Sequence, residues 1–254
     1  DRGYENVAIF YKNDDWGQDI GKLVAADLEA LGITVTANVA ITDAQPSYRA
    51  EVTEALRTQP DAIYLALYPT EGSSVAREWI SLGGTQNMVV ANSLRSDEFR
   101  DAVGMQFLGN AVGHDSAPPR TDSATGFVDL YTAEFGSAPN GPGLPNMYDA
   151  AIISLLAMQA APQLTGAAVA ASVPKVTDPA GTPIFPDVDG LREALGILAE
   201  GGSISLQGAT GAVRFDENGD VSAPAVAFGF SAEGVVEQEY FTIEDVDGFI
   251  ASVP

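Results

Sequence analysis

The chain has 254 residues, 46% of them hydrophobic, enough for one large or two small domains with a real core. Its 12 Lys and Arg stand against 35 Asp and Glu, a formal charge of −23, which argues against nucleic acid and anionic membrane surfaces as partners. There is no cysteine and a single histidine, His114, which excludes disulfides, thiolate chemistry and a multi-histidine metal site.

The chain opens Asp1-Arg2-Gly3, without an initiator Met or a signal-peptide pattern, and reads as a mature or trimmed segment. Val7 to Tyr11 is a continuous apolar run and is expected to be a buried strand. A polar turn, Lys12 to Asp15, leads to Trp16-Gly17 at the mouth of a helix. That helix carries Ile20, Leu23, Val24, Leu28 and Leu31 on one face and ends at Gly32. Ile33 to Ala40 is the next strand, completing a βαβ unit with a right-handed crossover. Ligands of open parallel sheets meet the carboxyl ends of strands. Trp16, just past such an end, is therefore a core plug or a stacking surface.

The alternation continues. Ser47 is expected to cap a helix to about Arg57, and Ala62 to Leu67 is a strand apolar on both faces. Tyr68-Pro69 turns into a helix with Val75, Trp79, Ile80 and Leu82, closed by Gly83-Gly84. Met88 to Ala91 is a strand followed by Asn92-Ser93, Ser96 caps a short helix to Val103, and Phe107 to Gly113 is a weaker fifth strand. The fold class is α/β, a doubly wound parallel sheet.

Beyond Ser116 to Pro119 the character changes. Phe127, Leu130, Tyr131 and Phe135 form a helical face, and a Gly/Pro/Asn-rich loop runs from Gly136 to Pro145. Asn146 starts a helix apolar nearly all round, expected to be buried on most sides. Ala167 to Val173 is a short helix, Pro174 to Pro186 a loop, and Leu191, Leu195 and Leu198 mark a last helix ended by Gly201-Gly202. The tail reads as β structure: Ala212 to Phe215, a turn around Asn218-Gly219, then Ala223 to Phe230 and Val235 to Ile243 about Glu233-Gly234.

Little of this carries chemistry. Asp216-x-Asn218-x-Asp220 mimics the start of a calcium loop, but Val221 and Ala227 occupy the positions that need Gly and Glu, so a hairpin turn is the reading. His114-Asp115 has no nucleophile with it and reads as a surface or hinge pair. No G-x-S-x-G, Walker or G-x-G-x-x-G motif occurs, so no enzyme machinery and no cofactor site is expected. What remains is Trp16, Tyr68, Asn92 and Ser93, aromatic and polar groups after strands of one sheet, the makings of a small-molecule site.

Four stretches then carry a resemblance: NVAIFYKNDDWGQDIG, DAIYLALYPTEGSSVAREWISLG, NMYDAAIISLLAMQAA and LQGATGAVRFDENGD. Together they resemble the periplasmic leucine/isoleucine/valine-binding protein family, type I solute-binding proteins of ABC importers. The resemblance implies a periplasmic protein, not an enzyme, that hands a small-molecule solute to a membrane permease. A ligand-sensing domain of a receptor or regulator is the alternative. It implies two lobes with the solute between them, the first lobe's opening strands being absent here. Residues 1–118 plus 202–254 would form the second lobe, and 119–201 the hinge crossing and helices of the first. Trp16 and Tyr68 fall where the family places aromatics, and Asn92 or Ser93 where amino-acid binders use an acid against the ammonium. That acid is missing, and an unpaired buried charge is costly. A hydrophobic or aromatic acid, or an amide, fits as well as a branched-chain amino acid. Without the first lobe to cover the helix from Asn146, self-association of the segment is expected.

Overall fold

The apolar run near the start forms Asn6–Lys12 (β1), the strand around which the first of two units is built. Helix Asp15–Ala30 (α1) follows it, and β1 pairs in parallel with Thr34–Ile41 (β2) on one side. The computed structural model describes residues 2–42, 45–139, 143–216 and 219–253. Unit 1 takes the chain through Ser116 and again from Ala225 onward, and unit 2 is Ala117–Pro224. Among the described residues no helix is long and apolar enough to cross a membrane.

In unit 1, Arg49–Leu56 (α2) leads to Ala62–Ala66 (β3), which pairs in parallel with the other side of β1 and is buried at every position. Pro69–Ser81 (α3), Met88–Val90 (β4), Asp97–Val103 (α4) and Val112–Ser116 (β5) extend the sheet in the same direction. Ser96 caps α4 as expected, accepting from the Phe99 N–H, whereas the N-cap of α2 is Tyr48 rather than Ser47, whose hydroxyl accepts from the Arg49 N–H at 3.2 Å; α1 is capped by Asp14, which accepts from the Gly17 N–H.

Helices cover both faces. On one, Ile20, Val24 and Leu28 of α1 meet Val7, Ile9 and Tyr64. On the other, Val52 of α2, Val75 and Trp79 of α3 and Phe99 of α4 bury Ala8, Phe10 and Leu65. The fully buried Trp79 donates its indole N–H to Thr85 O at 2.8 Å, the partner a buried indole needs.

Unit 2 is built from Asp122–Phe135 (α5), Leu144–Ala160 (α6), Gly166–Ala170 (α7), Val173–Val176 (α8), Thr182–Ile184 (β6), Val188–Ala199 (α9), Ile204–Gly208 (β7) and Gly211–Ala212 (β8). Its core is Ile153, Leu156 and Ala157 of α6 against Val176, Ala194, Leu198, Ile204 and Leu206. Asp149 of α6 is buried and accepts from the Ala209 N–H, the Thr210 N–H and the Thr210 hydroxyl at 2.7, 2.7 and 2.5 Å. Back in unit 1, Ala225–Ser231 (β9) runs antiparallel to β5, Gly234–Phe241 (β10) antiparallel to β9, and Ile243–Ser252 (α10) ends the chain.

Several expectations are corrected. The fifth strand is not Phe107 to Gly113: Met105–Phe107 is a 3-10 turn after Gly104, which has φ +95°, and the strand proper is β5. The tail is not all β structure, because Thr242 and Asp245 form a capping box that starts α10. The loop from Pro174 contains α8 and β6, and the expected strand Ala212 to Phe215 shrinks to the two residues of β8. Asn218 and its neighbour Glu217 lie outside the described residues, although Asp216 N–H does reach Asp220 O at 2.9 Å. In unit 2, β7 pairs with β6 and fills the same core. Finally, α6 buries a single stripe rather than most of its surface: Met147 is 70% and Leu155 61% exposed, because α8, α9 and β7 reach it from one side only.

Candidate functional site

The sheet order of unit 1 is β2-β1-β3-β4-β5-β9-β10. The chain winds outward from β1 to β2 over one face and from β3 through β4 to β5 over the other, so the winding reverses between β1 and β3. At such a switch point the turns leaving neighbouring strands diverge to opposite faces and open a crevice at the carboxyl edge.

Trp16 and Tyr68 sit on the two turns that flank this point. Their rings stack with centroids 5.2 Å apart and planes inclined by 20°. Trp16 is half-buried against the core under α1, and Tyr68 is 40% exposed. Partial burial of Tyr68, with the Asp14 carboxylate beside its hydroxyl, raises the phenol above its ordinary pKa and keeps its proton on. The rings face each other too closely for a third ring to fit between them.

The same edge of the sheet holds an ion pair not singled out from sequence. Lys12, last residue of β1, is buried, and its Nζ is 3.2 Å from Glu71 Oε1 in the first turn of α3, the two side chains being 6% and 12% exposed. The bond bridges β1 and α3 across the switch point. Gly17 makes the close approach of α1 to this edge feasible: a Cβ there would stand 2.1 Å from Lys12 O. Gly17→Ala is therefore expected to push the first turn of α1 off β1, cost about 1–3 kcal/mol, and change the near-ultraviolet dichroism of Trp16. Retained stability and an unchanged aromatic signal would contradict this packing.

The other two predicted residues are nearby in topology but differ in availability. Asn92 and Ser93 start a 3-10 turn after β4. The Ser93 hydroxyl is spent, donating to Leu67 O at 2.7 Å. The Asn92 side chain is exposed and makes no hydrogen bond among the described residues. Arg95, not singled out from sequence, closes this turn, pairing with Asp115 at 2.9 Å with its guanidinium 5.6 Å from the Phe228 ring centroid. Among the described residues no cluster of three or more His, Asp or Glu is arranged to hold a metal.

His114 is a strand residue of β5, not a hinge group. Its Nε2 is 2.8 Å from the Tyr64 hydroxyl, and the rings stack at 5.8 Å. Burial raises the pKa of the Tyr64 phenol, so it keeps its proton and can donate to a neutral imidazole. Burial against Tyr64 lowers the His114 pKa, and Asp115 opposes this in part. Much of the His114 residue still meets solvent, so the effect is modest. Its sign is definite: the unfolded chain, with an ordinary histidine near ~6.5, binds the proton more readily. His114 thus contributes stability above that pH that is lost as pH falls through it. His114→Gln is expected to flatten the change in urea midpoint between pH 7 and 5.5. A steeper change in the variant would reverse the assignment.

Unit 1 is thus a doubly wound, mostly parallel sheet with a stacked aromatic pair at its switch point. The profile of the family described as "Periplasmic binding protein" matches residues 1–202, and the chain belongs to that family. A curated relative, the Leu/Ile/Val-binding protein BraC3 of Rhizobium johnstonii, is 28% identical over 118 residues, which is 45% of this chain and 32% of the relative. Among solved structures, the leucine binding protein LivK of Thermotoga maritima superposes with a TM-score of 0.70 at 21% identity, covering 96% of this chain and 62% of that one. The substrate binding protein LivJ of Streptococcus pneumoniae, in complex with isoleucine, gives 0.59 at 16% identity over 92% and 61%. The fold is that of the type I periplasmic binding proteins, and this chain spans about three-fifths of the length of these solved relatives.

Proposed function

We propose that this chain is the solute-recognising part of an ABC importer, working outside the cytoplasm, and that it captures a small amino-acid-like or hydrophobic or aromatic solute for a membrane permease. The observation that carries this reading is the stacked Trp16–Tyr68 pair at the switch point of a chain of this family. The half-exposed pair offers an aromatic surface, and Asn92, on the turn after the neighbouring strand β4, carries an uncommitted amide. The relatives named for leucine or for Leu/Ile/Val support an amino-acid-like solute. Capture and release need no chemical step, and none is assigned to these residues.

A thermal-shift screen against amino acids, amides and aromatic acids tests it. A true solute at a hundredfold excess over its dissociation constant stabilises by about 2.7 kcal/mol. Trp16→Ala is expected to abolish that shift while leaving the protein folded. A stabilising compound whose effect survives Trp16→Ala would place the site elsewhere.

A further inference from the structure

The two rings of the aromatic pair are held by unequal means. Trp16 is half-buried and packs against the core under α1. Tyr68 is 40% exposed, too open for core packing to fix its ring. Its backbone has little freedom. The values φ −84° and ψ 163° are the extended ones that the following Pro69 favours, and its carbonyl accepts from the Gly72 N–H at 2.8 Å. What can still move is the side chain. Two contacts set it: the stack on Trp16, with centroids 5.2 Å apart, and the hydroxyl, which donates to the Asp14 carboxylate. Asp14 heads the turn that carries Trp16. There its Oδ1 also accepts from the Gly17 N–H at 2.8 Å, and its carbonyl accepts from the Gln18 N–H at 2.9 Å. Glu71, the other carboxylate acting on the Tyr68 hydroxyl, is held by Lys12 at 3.2 Å. One side chain therefore links the turn after β1 to the ring after β3.

We propose that Asp14 is a positioning residue of the solute surface: its carboxylate, fixed by capping α1, holds the Tyr68 hydroxyl and so lays the Tyr68 ring on Trp16. A carboxylate suits this double task, since it can accept several hydrogen bonds at once. The cap already orders the Asp14 side chain, so the bond to Tyr68 costs it no further freedom. Without that bond, stacking alone would hold an exposed ring, and Trp16 would be uncovered for part of the time. The inference rests on the aromatic pair being the solute-contacting surface.

Asp14→Ser and Tyr68→Phe remove the same bond from opposite ends. Serine caps a helix about as well as aspartate, but its single oxygen stays at the Gly17 N–H; phenylalanine keeps the ring. The chain has two tryptophans, and Trp79 is buried with its indole N–H bonded to Thr85 O, so it serves as an internal reference for Trp16. Acrylamide quenching of Trp16 is expected to rise about twofold or more in each variant, and no further in the double variant, because the two changes act on one bond. In Asp14→Ser the Tyr68 phenol, followed by carbon-13 spectra of the labelled ring, is expected to titrate closer to its ordinary pKa, with burial and Glu71, itself paired with Lys12, still acting on it. Three probes are then titrated against the Trp16 indole signal in nitrogen–proton spectra: L-leucine, L-phenylalanine and phenylacetamide. Any that shifts it in the unaltered chain is expected to bind about tenfold more weakly to both variants. Quenching that stays unchanged, rises in one variant alone or adds in the double variant would overturn the shared bond. Unaltered affinity in both variants would overturn the role of Asp14 at the solute surface. Failure of all three probes to move Trp16 would overturn the aromatic pair as the solute surface, and this inference with it, even where the quenching behaves as expected.

Discussion

Replacing Asp149 with alanine is expected to destabilise unit 2 by about 3–5 kcal/mol, since each orphaned buried donor costs about 1–3 kcal/mol. The carboxylate is 3% exposed and is the acceptor for two backbone N–H groups and a hydroxyl in the turn Ala209-Thr210. No other acceptor is placed to take over, and the Ala209 N–H has no route to water. The neighbouring glycine belongs to the same device: a Cβ on Gly208 would lie 2.3 Å from Asp149 Oδ1. The turn is thus moulded around the carboxylate, and Gly208→Ala is expected to destabilise in the same direction. Urea unfolding should show a lower midpoint with an unchanged slope, the sign of lost native stability rather than an altered denatured state. A loss below about 1 kcal/mol, the net value of one ordinary hydrogen bond, would mean that the turn finds other acceptors.

This contact also shows what the sequence could and could not disclose. NMYDAA and GATG are visible as two separate stretches, but that the acid of one holds the turn of the other joins residues 61 positions apart. The βα alternation of unit 1 was legible because its strands are continuous apolar runs and its helices carry caps such as Ser96. β5 was misplaced because His114 and Asp115 look like loop residues; their polarity is satisfied by Tyr64 and Arg95, partners from other elements. α10 had a legible start in Thr242-x-x-Asp245, which the apolar run up to Ile243 masked. For the site, topology alone put Trp16 and Tyr68 on one edge. Their mutual stacking depends on the angle at which two turns leave the sheet, and no spacing in the sequence encodes that.

Glu71→Gln is expected to cost about 3–5 kcal/mol, the effect of removing the carboxylate that compensates a buried ammonium. The pair sits where both strands of the switch point end, with side chains 6% and 12% exposed, so neither charge regains water when its partner is lost. Removing both charges is a different experiment. The mutual attraction of a buried pair is largely offset by the desolvation of its two ions, and apolar side chains of similar volume replace such pairs at little or no cost. Lys12→Met combined with Glu71→Met should therefore recover most of what either single change loses, giving a coupling energy of about 2–3 kcal/mol in a double-mutant cycle. The same cycle reports on the aromatic surface. Lys12 ends β1 ahead of the turn that carries Trp16, and Glu71 lies one helical turn after Tyr68, so the ion pair ties together the two segments whose rings stack. If packing alone keeps these segments together, the doubly apolar variant will retain the near-ultraviolet dichroism of the stack. If the directional bond from Nζ to Oε1 sets the angle between them, the stability will return and the aromatic signal will not. Single and double variants of equal stability would show that Lys12 escapes to solvent on losing its partner, and that the crevice is more open than its burial implies.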